Sequence, residues 1–197
     1  MTEHYYSEKQ TSELRITEIE VHLRGNNLKF QTGSGVFAIG KIDKGTLVLI
    51  NNCIIESNWE ILDLGCGYGP VGIAIAKAFP ETKVLMTDIN ERAIKLIRRN
   101  VHLNNIYNAK IRKSNIYSNI KEKFNTIIAN PPQLAGKEIC FEMIEKAKDH
   151  LKKGGLLQIV ARHKKGGKSL EAKMKEVFGN VEAIAKKSGY RVYISKN

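Results

Sequence analysis

The sequence is poor in cysteine and contains no long hydrophobic run. Its three cysteines are odd in number and form no Cys-x-x-Cys pair. This pattern fits reduced thiols in a cytoplasmic protein better than a disulfide framework or a zinc site. The five histidines are scattered without metal-ligand spacing, so we expect no bound metal. No stretch approaches the ~18 apolar residues of a transmembrane helix, and the polar amino terminus lacks a signal-peptide pattern, so we expect no membrane association.

Acidic residues are scarce: 20 aspartates and glutamates stand against 32 lysines and arginines, which gives a net charge of +12. The basic excess is uneven. Residues 1–57 carry 6 basic and 7 acidic side chains, whereas residues 136–197 carry 15 and 7. An excess in the later part of the chain favours a polyanionic partner, most directly nucleic acid. A lysine-rich surface that serves only solubility is the alternative.

The pattern of the chain changes near residue 58. Before it, residues 19–31 alternate around a Gly25-Asn26 turn, which predicts a β-hairpin, and Thr46 is the predicted N-cap of a following helix. After it, short apolar strands alternate with amphipathic helices, which predicts an α/β fold with a doubly wound, mostly parallel sheet. We therefore predict an N-terminal extension (1–57, hairpin plus helix) that packs on a larger domain (58–197).

A glycine-rich turn, Asp63-Leu64-Gly65-Cys66-Gly67-Tyr68-Gly69, follows the first strand of the α/β region. Its three glycines allow a ligand to approach the backbone closely. Their spacing differs from the dinucleotide fingerprint, which disfavours a nicotinamide dehydrogenase. Asp63 suits a ligand with a positive amino group, and Asp88, at the end of the next strand, can accept both hydroxyls of a ribose. The pattern predicts a nucleoside-bearing cofactor.

A second motif, Asn130-Pro131-Pro132-Gln133, directly follows the apolar strand predicted over residues 124–129. Neither proline has an N–H to donate to a sheet, so the chain must leave the strand at Asn130. The Asn130 amide and bare carbonyl groups then lie at the carboxyl edge of the sheet, where open parallel sheets bind ligands. A rigid set of acceptors suits a substrate with N–H donors, such as an exocyclic amine.

The two motifs resemble those of class I S-adenosylmethionine-dependent methyltransferases. The resemblance is strongest to the methyltransferase small domain group, which includes ribosomal RNA guanine-N2 methyltransferases. It extends to Asp43-Lys44-Gly45-Thr46 and to the ending Gly189-Tyr190-Arg191-Val192. It implies a Rossmann-like sheet of seven strands with the last strand antiparallel, and it makes residues 58–197 the methyltransferase domain.

The resemblance also implies S-adenosylmethionine as the cofactor. Asp63, Gly65 and Gly67 would line its methionine end, and Asp88 would hold its ribose. Where the family usually has Ser-Asp, this chain has Ser114-Asn115, and the asparagine can still accept from the adenine amine. The full set of predicted cofactor-binding residues is Asp63, Gly65, Cys66, Gly67, Gly69, Asp88, Ile89, Asn115 and Asn130.

The expected reaction is methylation of an exocyclic base amine of RNA, with guanine N2 of ribosomal RNA as the first candidate. Asn130, Pro131 and Pro132 are the predicted catalytic residues. The side-chain oxygen of Asn130 and the carbonyl of Pro131 would accept the two N–H bonds of the amine. A base inside a duplex cannot reach such a pocket, so we expect a single-stranded or flipped base.

Further residues are predicted to bind the substrate. Gln133 stands where the family often has an aromatic residue that stacks on the base, so Phe37 is our candidate for that ring. Arg162, Lys164 and Lys165 would hold RNA phosphates, although an ordinary solvated loop is the alternative for this segment.

Other functions also fit the motifs. Protein glutamine methyltransferases use Asn-Pro-Pro too, and DNA adenine carries an equivalent exocyclic amine. Because Gln133 departs from the family pattern, a module that binds nucleic acid with weak or no turnover is a further alternative. The sequence leaves the oligomeric state open.

Overall fold

The fold is known from a computed structural model that describes residues 6, 8–10, 12–132 and 135–197; Gln133 lies outside the described residues. Nine strands and five α-helices occur in the described part of the chain. The strands are β1 (Ile16–Leu23), β2 (Asn26–Gly33), β3 (Glu60–Leu64), β4 (Lys83–Asp88), β5 (Ala109–Lys113), β6 (Phe124–Ala129), β7 (Leu151–Arg162), β8 (Glu182–Lys187) and β9 (Tyr190–Lys196). The helices are α1 (Lys44–Asn52), α2 (Pro70–Ala78), α3 (Glu91–Leu103), α4 (Lys137–Glu145) and α5 (Lys168–Phe178).

Seven strands form one sheet in the order β5-β4-β3-β6-β7-β9-β8. Neighbouring strands from β5 to β7 are parallel, whereas β9 lies between β7 and β8 and is antiparallel to both. This confirms the predicted doubly wound, mostly parallel, Rossmann-like sheet with an antiparallel last strand. The order in which successive strands are added to the sheet reverses between the parallel neighbours β3 and β6, and open α/β sheets bind their ligands at such a point.

Two hydrophobic cores cover the two faces of the sheet. Along β3, Ile61 belongs to one core and Leu62 to the other, because successive side chains of a strand point to opposite faces. The first core also contains apolar residues of α1, α2 and α3, and the second contains those of α4 and α5. None of the helices in the described part of the chain has the length and apolar character needed to span a bilayer.

The predicted β-hairpin is present as β1 and β2, with Val21 opposite Leu28. It packs on α3, where the Asn100 side chain accepts from Gln31 N (2.7 Å) and donates to Gln31 O (3.0 Å). The Asn104 side chain does the same at Lys29, with distances of 2.9 and 2.7 Å. The two amides thus occupy the hydrogen-bonding groups on the outer edge of β2. The division of the chain at residue 57 stays a prediction.

Helix α1 begins earlier than the sequence predicted. Its N-cap is Asp43, whose carboxylate accepts from Gly45 N at 2.7 Å and from Thr46 N at 3.1 Å. The prediction that Thr46 caps the helix is therefore wrong. A carboxylate three residues upstream reaches the free N–H groups of the first turn, and this leaves the Thr46 hydroxyl for another contact.

Candidate active site

A cavity of about 660 Å³ opens at the carboxyl edge of the sheet, a size within the range of ~300–1,000 Å³ typical of small-molecule sites. β3 and β6 are neighbours, with Leu64 opposite Ala129, so the glycine turn and Asn130 meet at the same edge. The predicted site residues that line the cavity are Phe37, Asp63, Gly65, Cys66, Gly67, Asp88, Ile89, Asn115, Asn130, Pro131, Pro132, Arg162 and Lys165.

Among the predicted site residues that the structure describes, Gly69 and Lys164 do not line the cavity. A Cβ on Gly69 would lie 3.1 Å from the Ile73 side chain and 3.4 Å from that of Ile97, so this glycine faces the core. Lys164 is exposed beside the cavity residues Arg162 and Lys165. The binding roles assigned to these residues from the sequence stay predictions.

The glycine turn forms a cradle open to the cavity. Gly65 N and Cys66 N both donate to Thr87 O, at 2.9 and 3.0 Å, which ties the turn to the end of β4. Gly65 and Gly67 have φ of +70° and +59°, values that favour glycine, and a Cβ on either would meet no protein atom within 4 Å. A side chain there would occupy cavity space, so the absence of side chains leaves room for a ligand against the backbone.

Asp63 places a buried carboxyl group beneath this cradle. Its Oδ2 accepts from Gly72 N at 2.8 Å, and the residue is 2% exposed. Burial raises the pKa of Asp63 to about 7. A buried carboxyl group beside a cavity favours a cationic partner, because an opposite charge restores the ionised form. This matches the amino group of the predicted cofactor.

Asp88 is held in a fixed orientation at the end of β4. Its Oδ2 accepts from Gly67 N and its Oδ1 from Asn90 N, each at 2.8 Å. Burial raises the pKa of Asp88 to about 6. Each carboxylate oxygen keeps a lone pair, which suits the two hydroxyls of a ribose. Ile89 and the exposed Asn115 continue the cavity wall beyond Asp88, on the side expected for the adenine.

Asp63→Asn should stabilise the ligand-free protein at pH 8 while weakening cofactor binding. The pKa of Asp63 in the folded protein lies above the ordinary 3.8. The contribution of Asp63 to the free energy of unfolding is therefore complete below about pH 4 and is lost as the pH rises through about 7. Asparagine imitates the neutral form, and the free energy of unfolding at pH 8 should rise by roughly 2–4 kcal/mol. S-adenosylmethionine should bind about 10- to 100-fold more weakly, since its amine loses a carboxylate partner. Chemical denaturation at pH 4 and pH 8 and titration calorimetry measure the two effects.

The exposed Asp149 provides the control, because Asp149→Asn removes the same charge from a solvated site. It should change neither quantity. Destabilisation of Asp63→Asn at pH 8, or unchanged cofactor affinity, would contradict the role assigned to Asp63.

Asn130 lies where the sequence placed it, directly after β6 ends at Ala129. Its Nδ2 donates to the Thr46 hydroxyl at 3.0 Å and lies 3.5 Å from an Asp43 carboxylate oxygen. The Pro132 carbonyl accepts from Ala135 N at 2.8 Å. The Asn130 Oδ1 and the Pro131 carbonyl belong to residues that line the cavity, and both are groups that can accept from a ligand there.

The loop with Phe37 is fixed to the start of α3. The Asn90 Nδ2 donates to Gly35 O at 2.8 Å, and the Arg92 guanidinium donates to Ser34 O at 2.7 Å. These contacts hold Phe37, which is half-buried, at the cavity wall.

Other cavity residues were absent from the sequence prediction, and the polar ones are Tyr6, Asp43, Thr46, Tyr68, Ser114, Glu142 and Tyr190. Two signals pointed to three of them. Asp43 and Thr46 belong to a segment that resembles the family, and Tyr190 belongs to the family-like ending. Neither segment carried an assigned role, because a resemblance in sequence does not reveal which cavity a side chain faces. In the described part of the chain, no group of three or more His, Cys, Asp or Glu side chains is placed to hold a metal ion.

The arrangement defines a class of protein. A cradle of glycines with two flanking carboxyl groups faces an Asn-Pro-Pro turn across one cavity, on a seven-stranded sheet with an antiparallel strand. These are the features of a class I S-adenosylmethionine-dependent methyltransferase. Residues 27–194 match the methyltransferase small domain family, and the chain belongs to that family.

Comparison with known proteins gives relatives of two lengths. The chain is 39% identical over 199 residues to the uncharacterized protein YbxB of Bacillus subtilis (strain 168), and this match covers 100% of the chain and 99% of YbxB. It is 32% identical over 171 residues to the ribosomal RNA small subunit methyltransferase C of Hamiltonella defensa, covering 85% of the chain and 50% of that protein. The chain thus spans about half the length of the curated ribosomal RNA methyltransferases that it matches.

Solved structures share the fold. The T. thermophilus 16S rRNA N2 G1207 methyltransferase (RsmC), in complex with AdoMet and guanosine, superimposes with a TM-score of 0.78 at 20% identity, covering 95% of this chain and 51% of that one. A methyltransferase from Pyrococcus furiosus gives a TM-score of 0.65 at 26% identity, covering 73% of this chain and 77% of that one.

Proposed function

We propose that this protein is an S-adenosylmethionine-dependent N-methyltransferase that acts on an exocyclic base amine of RNA, specifically guanine N2 of ribosomal RNA. The observation that carries the proposal is the pair of acceptors, Asn130 Oδ1 and the Pro131 carbonyl, on the wall of the cofactor cavity. The similarity to ribosomal RNA small subunit methyltransferases supports this substrate. The protein would act in the cytoplasm, on a single-stranded or flipped base.

The site would hold the cofactor through residues already in position. The Gly65–Gly67 cradle and Asp63 would bind its methionine part, Asp88 its ribose, and Ile89 and Asn115 its adenine. When bound, S-adenosylmethionine supplies an electrophilic methyl group on a sulfonium. Burial raises the pKa of Asp63 to about 7 and that of Asp88 to about 6. The cofactor's amino group at Asp63 and its ribose hydroxyls at Asp88 would favour the ionised form of each carboxyl group.

Asn130 and Pro131 would act on the substrate by orienting its amine. A guanine amine is a weak nucleophile because its lone pair is conjugated with the ring. Two acceptors, one for each N–H bond, fix the nitrogen and favour a pyramidal geometry in which the lone pair points away from them. Partial positive charge that develops on the nitrogen is stabilised by the same two oxygens. No general base is required, since the proton can leave after transfer.

A basic surface beside the cavity supports RNA as the partner. Arg162 at the end of β7 is paired with Tyr190 of β9, which is paired in turn with Lys187 of β8. These three positions therefore form one row along the carboxyl edge of the sheet. Lys186 lies in the adjacent row. Lys164, Lys186 and Lys187 are exposed, and within the described residues they form no ion pair. Such a surface is suited to RNA phosphates.

Reversing two of these charges, as in Lys186→Glu with Lys187→Glu, should weaken RNA binding by about tenfold at moderate salt and reduce the salt dependence by about two counterions. kcat at saturating RNA and cofactor affinity should not change, because both lysines lie outside the cavity lining. Filter binding across a salt series and steady-state kinetics measure these quantities.

The matched control is Lys121→Glu with Lys123→Glu. Both lysines are exposed and precede β6, so they lie at the opposite edge of the sheet while the net charge changes equally. If the control weakens RNA binding as much as the first variant, the effect is one of overall charge and the surface has no special role.

The proposed function is tested by methylating total unmodified RNA with the purified protein and mapping the modified nucleosides by mass spectrometry. N2-methylguanosine at a defined ribosomal position is the expected product. Parallel assays use protein and DNA as methyl acceptors. Transfer to protein glutamine or to DNA adenine in place of RNA guanine would contradict the proposed substrate. Cofactor binding without transfer to any of the three would indicate a binding module.

A further inference from the structure

We infer that Asp43 and Thr46 are positioning residues that hold the Asn130 amide in one of its two possible orientations, with the side-chain oxygen toward the substrate. This inference rests on the proposed function, because it explains how Asn130 presents an acceptor. It assigns roles to two residues of helix α1 and its cap, which lie 84 or more positions before Asn130 in the sequence.

These contacts occupy the NH₂ group of the Asn130 side chain. The Asn130 Nδ2 donates to the Thr46 Oγ1 at 3.0 Å and lies 3.5 Å from the Asp43 Oδ2. Thr46 is 4% exposed, so this hydroxyl is shielded from water. An amide whose NH₂ group is directed at two oxygens must direct its own oxygen away from them. The oxygen is thereby left to accept from a ligand, since Asn130 lines the cavity.

The reversed orientation would be disfavoured on both sides. The Asn130 oxygen would then face the Asp43 carboxylate, which places one acceptor opposite another, whereas the Thr46 hydroxyl can donate or accept and does not by itself choose the orientation. Its NH₂ group would face a substrate amine, which also brings donors. The Asp43 charge therefore selects the orientation that accepts from the substrate, although Asp43 itself need not touch it.

Asp43 is itself fixed in place. Its Oδ2 accepts from Gly45 N and Thr46 N at the start of α1. The Tyr190 hydroxyl also hydrogen-bonds to Asp43, and burial together with the Asp43 charge raises the pKa of Tyr190, so this tyrosine remains a donor. A Cβ added to Gly45 would lie 2.7 Å from the Tyr190 ring, which shows how closely the ring approaches the cap. The start of α1 and the start of β9 thus hold the carboxylate rigidly.

Thr46→Val and Thr46→Ser separate the hydroxyl from the rest of the side chain. Valine keeps the shape and removes the acceptor, so kcat should fall about 10- to 100-fold while the dissociation constant of S-adenosylmethionine stays within about twofold. Serine keeps the acceptor, and kcat should stay within about threefold of the wild type. Equal kcat for the valine and serine variants would overturn the inference.

A spectroscopic measurement tests the same contact without turnover. The side-chain NH₂ signals of Asn130, assigned by their loss in Asn130→Ala, should move and exchange faster with water in ligand-free Thr46→Val, but not in Thr46→Ser. Unchanged signals in Thr46→Val would overturn the inference. If the valine variant does not fold, Asp43→Asn replaces it, since asparagine is also a good N-cap and removes only the charge. The Asn130 signals and kcat should then change in the same direction, and unchanged values would again overturn the inference.

The two proposals fail in different ways. Wild-type protein that transfers no methyl group to RNA would remove the proposed function, while the NMR comparison still decides whether Thr46 orients the amide. Active wild-type protein with an equally active Thr46→Val would leave the function intact and remove the positioning role.

Discussion

Replacing Asn130 by alanine should lower kcat by about 10²–10³-fold, while the dissociation constant of S-adenosylmethionine stays within a few-fold. The variant keeps the Pro131 carbonyl but loses the side-chain acceptor, so the amine is neither fixed by two hydrogen bonds nor stabilised as charge develops. Methyl transfer measured with labelled cofactor under single-turnover conditions gives the chemical rate, and titration calorimetry gives the affinity.

Asn51→Ala is the matched control for this experiment. Asn51 is exposed on α1, and alanine favours the helix. The control should leave both rate and affinity unchanged. A loss of cofactor affinity in Asn130→Ala as large as the loss of rate would show that Asn130 acts mainly on the cofactor and would remove its assigned role in catalysis.

Gly65→Ala should raise the dissociation constant of S-adenosylmethionine by about 10- to 100-fold. The added methyl group would clash with the bound cofactor, and such overpacking costs ~1–3 kcal/mol. A Cβ at Gly65 would meet no protein atom within 4 Å, so the folded protein accommodates it except for the strain at φ +70°. Titration calorimetry and thermal unfolding separate the effect on binding from the effect on stability.

Gly25→Ala is the matched control, because it introduces the same backbone strain at a positive φ in a residue that does not line the cavity. Gly25 has φ +79° in the hairpin turn and is likewise open, with no heavy atom within 4 Å of an added Cβ. Both variants should lose about 1–2 kcal/mol of stability, but only Gly65→Ala should lose cofactor affinity. Equal cofactor affinity in the two variants would show that the glycine turn does not contact the cofactor.

Much of the fold follows from local patterns. The apolar run that ends at Ala129 and the proline pair after Asn130 specify a buried strand and its end, and β6 has these limits. The glycine turn and Asp88 each follow a strand, and parallel strands bring such ends to one edge. The sequence therefore predicted that the glycine turn, Asp88 and Asn130 gather at the cavity without any knowledge of their contacts.

The residues that contact the Asn130 side chain could not be predicted from local patterns. Thr46 was expected to cap α1, because hydroxyl residues favour that position, yet Asp43 takes the cap. Tyr190 lies at the start of β9, far from both along the chain. These residues meet through the packing of α1 against the sheet, and neither propensity nor spacing contains that packing. Sequence patterns located many of the groups that line the cavity, whereas the supporting contacts depend on tertiary structure.

The two asparagines of α3 have a consequence for how the sequence can vary. Asn100 and Asn104 bind only backbone groups of Lys29 and Gln31 in β2, and Asn100 also donates to the Tyr68 carbonyl at 2.9 Å. The attachment of β2 to α3 is therefore independent of the side chains of Lys29 and Gln31, which instead contact Glu20 and Glu18 of β1 and can change without loosening the contact with the helix. The helix, by contrast, must retain both amides, since only a side chain that donates and accepts can imitate the edge of a neighbouring strand.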